Sequence, residues 1–489
     1  MALRRPFGLA VDPAEELPLY LQLARGIADA IRAGRLRAGD ALPGSRTMAS
    51  SLGVNRNTVL SAYQELAAEG WVVGRRASGT FVADDLPSLP RPRLAKAATT
   101  ATVGFATAPP IEHDTFPSHP SDVYVLTRGT PDPRLLPTIE LARAYRRVLQ
   151  KDGRRLLVYG DHRGHPGLRL ELAEMLASAR GLTVTADDLL VTRGSQSALD
   201  LIARALVTPG DVVAVEALGH PVVRAAFRLA GAQLKAIPVD RHGASVDVLE
   251  HLAGNHQIRA FVVTPHHQFP TTAVMPAARR MQLLHVAARH RIAIIEDDYD
   301  HEFHYEGRPV LPLASADDAG VVIYVGTLSK VLAPGLRLGY VAAPRPFVDR
   351  IASIRAVTDI QGDLVMEAAV AELFATGELT RHVGRMRRIY RSRRDALVAA
   401  LRWELGDTVQ VEAPAGGTAV WARIGSEGQP IDIAGWARRG EQHQVIFRGG
   451  RAYAFDDVQV NHLRLGFTLH TEEELAMAVR RMAAALPAR

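Results

Sequence analysis

Lysine is scarce in this 489-residue chain, where only four of the 58 lysine and arginine residues are lysine. One of them, Lys330, closes the segment Gly326–Lys330 (GTLSK) directly after an apolar run, VVIYV, and Arg337 follows shortly afterwards. A primary amine forms a Schiff base with an aldehyde, which a guanidinium group does not. The hydroxyls of Thr327 and Ser329, together with Arg337, suit a phosphate dianion. The pattern indicates a site for a phosphorylated aldehyde, and the alternative is a surface lysine in a serine-containing loop.

Polar residues end two further apolar strands. Asp297 and Tyr299 lie in IIEDDY, at the carboxyl edge where open α/β sheets bind ligands. A buried Asp297 carboxylate would keep a pyridine nitrogen protonated, and Tyr299 would donate to a phenolic oxygen and lower the pKa of the Schiff base. Ser195 and Gln196 begin a helix after the strand LLVT, where amides and a hydroxyl form a phosphate cradle. Together these residues favour pyridoxal phosphate (PLP), although adjacent acids alone are often a solvated loop.

The N-terminal part has the periodicity of a helix-turn-helix. Residues 17–33 carry a helical apolar stripe, and helices are predicted over 45–52 and 56–69, with a turn at Gly53 and Asn55 as N-cap. The segment WVVGRRASGTFV then alternates apolar residues around a basic turn, which predicts a β-hairpin. The sequence therefore predicts a winged helix-turn-helix, and the alternative is a three-helix packing module with solvated arginines.

This region would meet DNA through the beginning of its second predicted helix. In the motif, side chains at that end face base edges, while arginines on neighbouring elements reach phosphates. The net charge of +6 suits a polyanionic partner. The residues that we expect at the interface are Arg46, Asn55, Arg56, Asn57, Thr58, Arg75 and Arg76.

A proline-rich stretch separates two regions with different predicted secondary structure. Residues 85–120 contain seven prolines and lack apolar periodicity, which predicts an extended linker after a DNA-binding domain at 15–84. From 121 to 486 apolar strands alternate with amphipathic helices, the rhythm of an open, mostly parallel sheet. Helices dominate after about residue 345, before short strands near 419–423 and 463–467, so a smaller C-terminal α+β subdomain is expected there.

Composition narrows the class of protein further. With 47% hydrophobic and 22% charged residues, the chain has the balance of a globular protein. It contains no cysteine, so we expect no disulfide and no thiolate-bound metal, and we assign no metal site. We find no apolar run of about 18 residues and no signal peptide, so no membrane segment is expected and a cytoplasmic location is the default.

Several stretches of the chain resemble known families. LYLQLARGIADAIRAGRLRAGDALPGSRTMASSLGVNRNTVLSAYQELAAEGWV resembles the DNA-binding domain of GntR-type regulators, over about residues 15–84. The order of cradle, acidic strand end, Ser-Lys and downstream Arg resembles fold-type I aminotransferases, over about 121–486. YGDHRGHPGLRLELAEML, TPHHQFPT, IIEDDYDHEFHYEG and GTLSKVLAPGLRLGY are similar to the MocR subfamily of GntR regulators. The resemblance implies a multidomain homodimer, in which a winged helix-turn-helix precedes an α/β PLP domain of fold type I.

The resemblance also implies roles for single residues. Lys330 would form the aldimine with PLP, Asp297 would pair with the pyridine nitrogen and Tyr299 with the phenolic oxygen. Arg464 in LRLGF matches the arginine that binds a substrate carboxylate, and Tyr159 matches the tyrosine that reaches the phosphate of the neighbouring subunit. For both of the latter, plain packing or a solvated position is the alternative.

Three positions depart from the aminotransferase pattern. Phe269 replaces an asparagine that hydrogen-bonds the cofactor oxygen, a bond that phenylalanine cannot make. His220 stands at the cofactor-binding position where an aromatic residue usually faces the ring, and Thr272 replaces a glycine, which predicts a different loop path. The change at Phe269 speaks against efficient transamination.

The sequence therefore predicts a transcription regulator that senses PLP or an amino compound through an aldimine at Lys330, with Arg464 gripping an amino-acid carboxylate. Its expected partners are double-stranded operator DNA, the small-molecule effector and a second copy of the chain. One alternative is an aminotransferase with an accessory DNA-binding domain, and residual transamination is compatible with the regulator too. Another is a scaffold that binds DNA but no cofactor, which would leave the retention of Lys330 unexplained.

Overall fold

The computed structural model describes residues 17–75, 78–86, 122–425, 431–456 and 458–486, together with the isolated positions 9, 11–13, 15, 105–106 and 119–120. The chain divides into two compact units, residues 1–110 and 111–489, which are described separately below. Most of the predicted linker at 85–120 lies outside the described residues.

The first unit consists of helices followed by a short hairpin. Gly53 ends the second helix in the left-handed conformation, with φ of 68°, and the Asn55 side chain accepts a hydrogen bond from the Asn57 amide at the start of the third. The predicted helices, turn, cap and hairpin are thereby confirmed. The elements are α1 (Leu19–Arg32), α2 (Ser45–Leu52), α3 (Arg56–Ala68), β1 (Val72–Arg75) and β2 (Gly79–Val82), and the two strands pair antiparallel.

A small apolar core holds this unit together. Ile27 of α1, Met48 of α2 and Val59 of α3 are fully buried against one another. Trp71 closes the core from the start of the hairpin, and Tyr63 donates a hydrogen bond to the Pro43 carbonyl at 2.6 Å. Because the apolar stripes of the helices face inward, the N-terminal end of α3 is left at the surface.

The second unit alternates strands and helices, as predicted. None of the helices in the described part of the chain has the length and apolar character needed to cross a membrane. The elements are β3 (Tyr124–Val125), α4 (Thr138–Leu156), α5 (Pro166–Arg180), β4 (Leu189–Thr192), α6 (Ser195–Leu206), β5 (Val212–Glu216), α7 (Pro221–Leu229), β6 (Gln233–Ile237), β7 (Val239–Asp240), β8 (Gly243–Ala244), α8 (Val246–Asn255), β9 (Ile258–Val263), α9 (Ala277–His290), β10 (Ala293–Asp298), β11 (Val322–Thr327), β12 (Gly339–Ala342), α10 (Arg345–Thr358), α11 (Leu364–Ala375), α12 (Glu378–Leu405), β13 (Val409–Gln410), β14 (Ala419–Ile424), α13 (Ile433–Gln442), β15 (Val445–Ile446), β16 (Arg448–Gly449), β17 (His462–Gly466) and α14 (Glu472–Ala484).

A seven-stranded sheet forms the centre of this unit, in the order β4-β12-β11-β10-β9-β5-β6. Six strands run parallel, and β12 runs antiparallel to both of its neighbours. Successive residues of β10, Ile294 and Ile295, are both fully buried but belong to different apolar clusters, one on each face of the sheet. The nearly continuous apolar runs of these strands therefore reflect a sheet that helices cover on both sides.

A second sheet, in the order β13-β14-β17-β16, forms a smaller core near the C-terminus. Tyr390 of α12, Trp436 of α13 and Phe467 after β17 are buried in it. The early strand β3 also joins this region, since it pairs with β15. Helices α10 and α11, which follow the predicted boundary near residue 345, pack instead on α6 and α4 beside the large sheet. Sequence periodicity shows that these helices are amphipathic but not which sheet their apolar faces meet.

Candidate functional site

A cavity of about 600 Å³ lies in the second unit at the carboxyl edge of the large sheet. Four strands direct polar residues toward it: Glu216 from β5, Thr264 just after β9, Asp297 from β10 and Thr327 from β11. Because parallel strands end at a common edge, residues far apart in sequence converge there. The cavity is thus the place where this fold positions a ligand.

Lys330 lines this cavity three residues after the end of β11. Burial lowers the pKa of its amine from 10.5 to about 8, and the nearby positive charges of Arg464 and Arg128 act in the same direction. Asp297 and Asp300 oppose the shift but do not cancel it. About one tenth of the amine is therefore neutral, and nucleophilic, at pH 7.

The two adjacent acids of β10 have opposite environments. Burial raises the pKa of Asp297 to about 7, with Asp298 and Asp300 adding repulsion, and its buried Oδ1 has no hydrogen-bond partner among the described residues. Asp298 points to the other face, where it accepts a hydrogen bond from Tyr324 at 2.6 Å. Burial disfavours the charge of Asp298 as well, but His301 outweighs it and holds the pKa well below its usual range. Of the two adjacent acids, Asp297 is the one that lines the cavity, where Glu216 of β5 also has a buried carboxyl oxygen, Oε1, without a partner among the described residues.

The residues predicted to hold a phosphate lie together at one end of the cavity. Ser195 and Gln196 begin α6, and Gly194 before them takes the left-handed φ of 80°. Arg337 packs against Gly194 and donates to the Arg193 carbonyl at 2.8 Å. The members of this group that line the cavity are Ser195, Gln196, Thr327, Ser329 and Arg337. They combine a helix N-terminus, hydroxyls and a guanidinium group, which is a donor set suited to a dianion.

Arg464 and Tyr299 also line the cavity. Arg464 is 4% exposed, its guanidinium carbon lies 4.5 Å from the ring centroid of Phe269, and its buried Nε has no hydrogen-bond partner among the described residues. The Tyr299 hydroxyl donates to the main-chain carbonyl of His267 at 2.9 Å. Burial raises the pKa of Tyr299 well above its usual range, so this hydroxyl stays protonated and can donate. Its contact with a cofactor oxygen, which would need this bond to be exchanged, stays a prediction.

Phe269 joins an aromatic wall with two other rings. Its centroid lies 5.1 Å from that of His220 and 5.3 Å from that of Tyr453. The His220 ring also accepts a hydrogen bond from the Val222 amide at 3.3 Å, which caps α7. Thr272 has a φ of 62°, so it keeps the left-handed backbone that a glycine would adopt more easily. The loop path thus agrees with a glycine-type turn, although the residue is threonine.

Tyr159 does not line this cavity. Its side chain is 80% exposed, just after the C-terminal end of α4, and the neighbouring Leu157 and Val158 are exposed as well. The prediction for Tyr159 concerned the phosphate of a neighbouring subunit, which a single chain does not test.

Several cavity residues were missed in the sequence. Glu216 accepts a hydrogen bond from the Thr264 hydroxyl at 2.6 Å, and burial raises its pKa to about 7. Both residues end apolar strands, VVAVE and FVVT, so the rule that selected Asp297 could have found them. Arg128 and Arg448 also line the cavity, but no local pattern marks them because they come from irregular or very short segments.

In the first unit, the predicted DNA-contact residues lie around the start of α3. Arg46 and Asn57 are exposed and Thr58 is half-buried, while the exposed Arg56 donates from Nε to the Ser45 hydroxyl at 3.2 Å. The side chain of Asn55 is engaged in capping α3, so it positions the helix.

The hairpin arginines differ from this group. Arg75 lies 3.4 Å from the Asp84 carboxylate, and its guanidinium carbon lies 4.8 Å from the ring centroid of Phe81. A contact with DNA would compete with these neighbours. Arg76 lies outside the described residues.

Comparison with known proteins agrees with both units. Residues 19–82 match the family model "Bacterial regulatory proteins, gntR family", and residues 122–482 match "Aminotransferase class I and II". The multiple substrate aminotransferase of Thermococcus profundus has a similar structure, with a TM-score of 0.70 and 31% identity over 75% of this chain and 92% of that one. The chain therefore combines a GntR-type winged helix-turn-helix with a class I and II aminotransferase fold, the architecture of fold type I.

Two curated relatives share the combination. The "Probable rhizopine catabolism regulatory protein MocR" of Rhizobium meliloti is 34% identical over 85% of this chain and 84% of its own length. The "HTH-type pyridoxine biosynthesis transcriptional regulator PdxR" of Corynebacterium glutamicum is 32% identical over 79% of each chain. The chain belongs to the MocR type of GntR regulators, and its aminotransferase domain implies PLP as the cofactor.

The residues present fit this cofactor. The unpaired Asp297 Oδ1 can accept from a pyridinium N–H, and Lys330 supplies the amine within the same cavity. The group at the start of α6 suits the phosphate.

Proposed function

We propose that this protein is a DNA-binding transcription regulator that holds PLP covalently through Lys330 and responds to an amino compound or to PLP itself. The observation that carries the proposal is that one cavity contains both the Lys330 amine and a buried Asp297 carboxyl oxygen without a hydrogen-bond partner among the described residues. A lysine with a purely structural role would not require a nearby carboxyl oxygen that has no hydrogen-bond partner. When bound, PLP supplies an aldehyde carbon at which one amine can replace another.

The residues of the cavity would divide the work of binding. Asp297 would accept the pyridinium N–H, which stabilises the charged form of the carboxylate and reverses the effect of burial on its pKa. The cluster at the start of α6, with Arg337, would hold the phosphate and thereby fix the ring in one orientation. Lys330 would present a partly neutral amine and take up the proton that an incoming amine gives away.

Arg464 would select effectors that carry a carboxylate. Its Nε lacks a partner among the described residues, and one face of its guanidinium group lies against the Phe269 ring. A planar guanidinium held this way leaves its edge for a bidentate contact with a carboxylate. An amino acid is therefore the effector class that we expect, whereas an amine without a carboxylate would leave the buried Nε of Arg464 without a partner.

The chain would act as a homodimer. Tyr159, exposed and outside its own chain's cavity, would reach the phosphate in the neighbouring subunit. Two winged domains would then read paired half-sites in operator DNA through the exposed ends of α3. An effector that changed the dimer's conformation would alter the spacing at which the two domains bind.

The first experiment is to add PLP to the purified protein and record the visible absorbance of the lysine-bound cofactor. We expect wild type to acquire this absorbance and Lys330→Ala to lack it completely while keeping its circular dichroism. Lys235→Ala is the matched control, because Lys235 is exposed on β6 and lies outside the cavity. Unchanged absorbance in Lys330→Ala would place the cofactor elsewhere and refute the assignment.

Slow transamination is a second candidate function. The Lys330 and Asp297 pair is compatible with it, whereas the apolar Phe269 ring beside Arg464 offers no hydrogen bond to a cofactor oxygen. Incubating the PLP-loaded protein with amino acids and a keto acid, and measuring the new amino acid by mass spectrometry, separates the two. Many turnovers per chain would favour the enzyme, and a single exchange without turnover would favour the sensor.

A further inference from the structure

Four histidines meet behind the wall of the cavity that Tyr299 forms. His266 and His267 follow β9, while His301 and His304 follow β10, and these neighbouring parallel strands end at the same sheet edge. The ring centroid of His266 lies 4.3 Å from that of His267 and 4.4 Å from that of His301. The centroid of His304 lies 6.1 Å from those of both His266 and His267. None of these residues except His267, whose carbonyl binds Tyr299, enters the proposed function.

Most ring nitrogens of this cluster are buried without partners. His266, His267 and His301 are buried, and His304 is half-buried. Among the described residues, no hydrogen-bond partner is found for either nitrogen of His266, for Nε2 of His267 and His301, or for Nδ1 of His304. Each buried polar atom without a partner destabilises the fold, so several together require an explanation. An ion that accepts a lone pair from each ring would satisfy one nitrogen in every ring that binds it.

The nitrogens are close enough to share one ion. His266, His267 and His304 each offer one nitrogen within 4.8 Å of those of the other two. Tetrahedral zinc, with Zn–N bonds of about 2.0–2.1 Å, requires nitrogens about 3.4 Å apart. Small rotations of the side chains would therefore close the site without any movement of the strands.

Asp300 prepares His267 for such a role. Its buried Oδ1 lies 2.7 Å from Nδ1 of His267. Because an ionised carboxylate only accepts, Nδ1 carries the hydrogen and Nε2 keeps its lone pair. This carboxylate–histidine arrangement is the usual support of a metal-binding imidazole. A side chain at position 416 would collide with Nε2, so the close approach of the chain to this nitrogen requires Gly416.

We propose that His266, His267 and His304 bind a divalent transition-metal ion of the zinc type. Asp300 is the positioning residue for His267. Three imidazoles favour zinc and its neighbours over Mg²⁺ and Ca²⁺, which prefer oxygen, and the chain has no cysteine to supply a softer ligand. The fourth position would belong to water or to His301. This assignment replaces the expectation, drawn from the lack of cysteine, that the chain binds no metal.

The opposing explanation is a set of rings that only stack, as His266 and His301 do with an interplanar angle of 26°.

Metal binding by the full-length protein, freed of metal with a chelator and carrying no histidine tag, tests the site directly. We expect one equivalent of Zn²⁺ to bind per chain in competition with a chromophoric chelator, and Co²⁺ to give the intense visible bands of a tetrahedral site. His266→Phe and His304→Gln should lose both signals. The surface variant His256→Ala should keep them, because His256 is exposed at the end of α8. Asp300→Asn should weaken binding by about 10–100-fold.

The outcomes separate the two explanations without any measurement of regulation or catalysis. Circular dichroism checks folding, and if His266→Phe does not fold, His304→Gln decides alone, since its side chain is half-buried. The proposal is overturned if wild type binds no stoichiometric Zn²⁺ or Co²⁺. It is equally overturned if the folded cluster variants bind as wild type does, or if His256→Ala abolishes binding. PLP binding is recorded separately, so failure of this site and failure of the Lys330 site remain distinguishable.

Discussion

The start of α3 and the Lys330 cavity use charge in opposite ways. Around the start of α3, Arg46 of α2 and Arg56 and Asn57 of α3 are exposed. In the cavity, burial lowers the pKa of Lys330 to about 8 and raises that of Asp297 to about 7. One region offers permanent charge to solvent, while the other holds groups whose charge depends on what binds beside them.

The contrast separates recognition from sensing. A surface that attracts DNA must keep its charge under all cellular conditions, which exposed arginine does because its pKa is far above neutrality. A site that reports a ligand must change when the ligand arrives, and partly desolvated groups near neutrality do so. The comparison predicts that substitutions in the cavity weaken PLP binding by removing specific hydrogen-bond or charge partners. Substitutions on α3 should weaken DNA binding by an amount that depends on the position of the lost charge and on the salt concentration.

Replacement of Asp297 by Asn should give the largest effect after loss of Lys330. The amide keeps the shape but removes the negative charge that the pyridinium nitrogen needs, so PLP affinity should fall by about 1.5–3 kcal/mol, or roughly 10–150-fold. Titration of the cofactor absorbance measures this change. Asp318→Asn is the control, since Asp318 is exposed before β11. Equal affinity in Asp297→Asn would show that another residue contacts the ring nitrogen.

Arg56→Ala tests the other side of the comparison. If Arg56 contacts a base, we expect operator binding to weaken by about 1–3 kcal/mol and specificity to relax at one position; a phosphate contact would weaken all sequences alike. Fluorescence anisotropy at several salt concentrations distinguishes these cases. Arg25→Ala removes the same charge from the exposed face of α1 and serves as the control. Similar losses in both variants would mean that net charge matters and position does not.

The rate of PLP capture should depend on pH in a way that reveals the shifted lysine. Only the neutral amine attacks, and with a pKa of about 8 its fraction rises from about one tenth at pH 7 to about nine tenths at pH 9. Capture should therefore accelerate about ninefold over this range and then level off. Stopped-flow absorbance measures the rate. A continued tenfold rise per pH unit toward the ordinary value of 10.5 would contradict the burial of Lys330.

Asn55 supplies the smallest predicted effect. Asn55→Ala removes the cap of α3 and should destabilise the start of the helix by about 0.5–2 kcal/mol, seen as faster hydrogen exchange of the first-turn amides. Asn55→Asp should keep the exchange protection, because aspartate caps equally well, yet it should weaken DNA binding by repelling phosphate. If Asn55→Asp binds DNA as wild type does, the residue lies away from the DNA.

Sequence reasoning located elements whose signals are local. The helix after Asn55, the turn at Gly53 and the strand ends at Asp297 and Thr327 follow from spacing and residue type. The charges of Asp297 and Asp298 do not by themselves show which of the two faces the cavity. That depends on the alternation of side chains along the strand and on Tyr324 of the neighbouring strand, which donates a hydrogen bond to Asp298.

Convergence from distant segments was harder to foresee. Arg128 and Arg448 reach the cavity from opposite ends of the second unit, and no periodic pattern connects them. The histidines after β9 and β10 meet because those strands are neighbours in the sheet order, a fact that pairing establishes and composition does not. For the same reason, α10 and α11 could not be assigned to the large sheet from their sequences.

The unpaired oxygen of Asp297 also bears on the lifetime of the protein. A buried carboxyl group without a donor destabilises the fold, and a bound cofactor that supplies the donor returns that free energy. At a cofactor concentration about one hundred times Kd, mass action alone adds about 2.7 kcal/mol to the stability of the folded state. Chains that lack cofactor would then be degraded faster, so abundance itself would follow the vitamin supply of the cell.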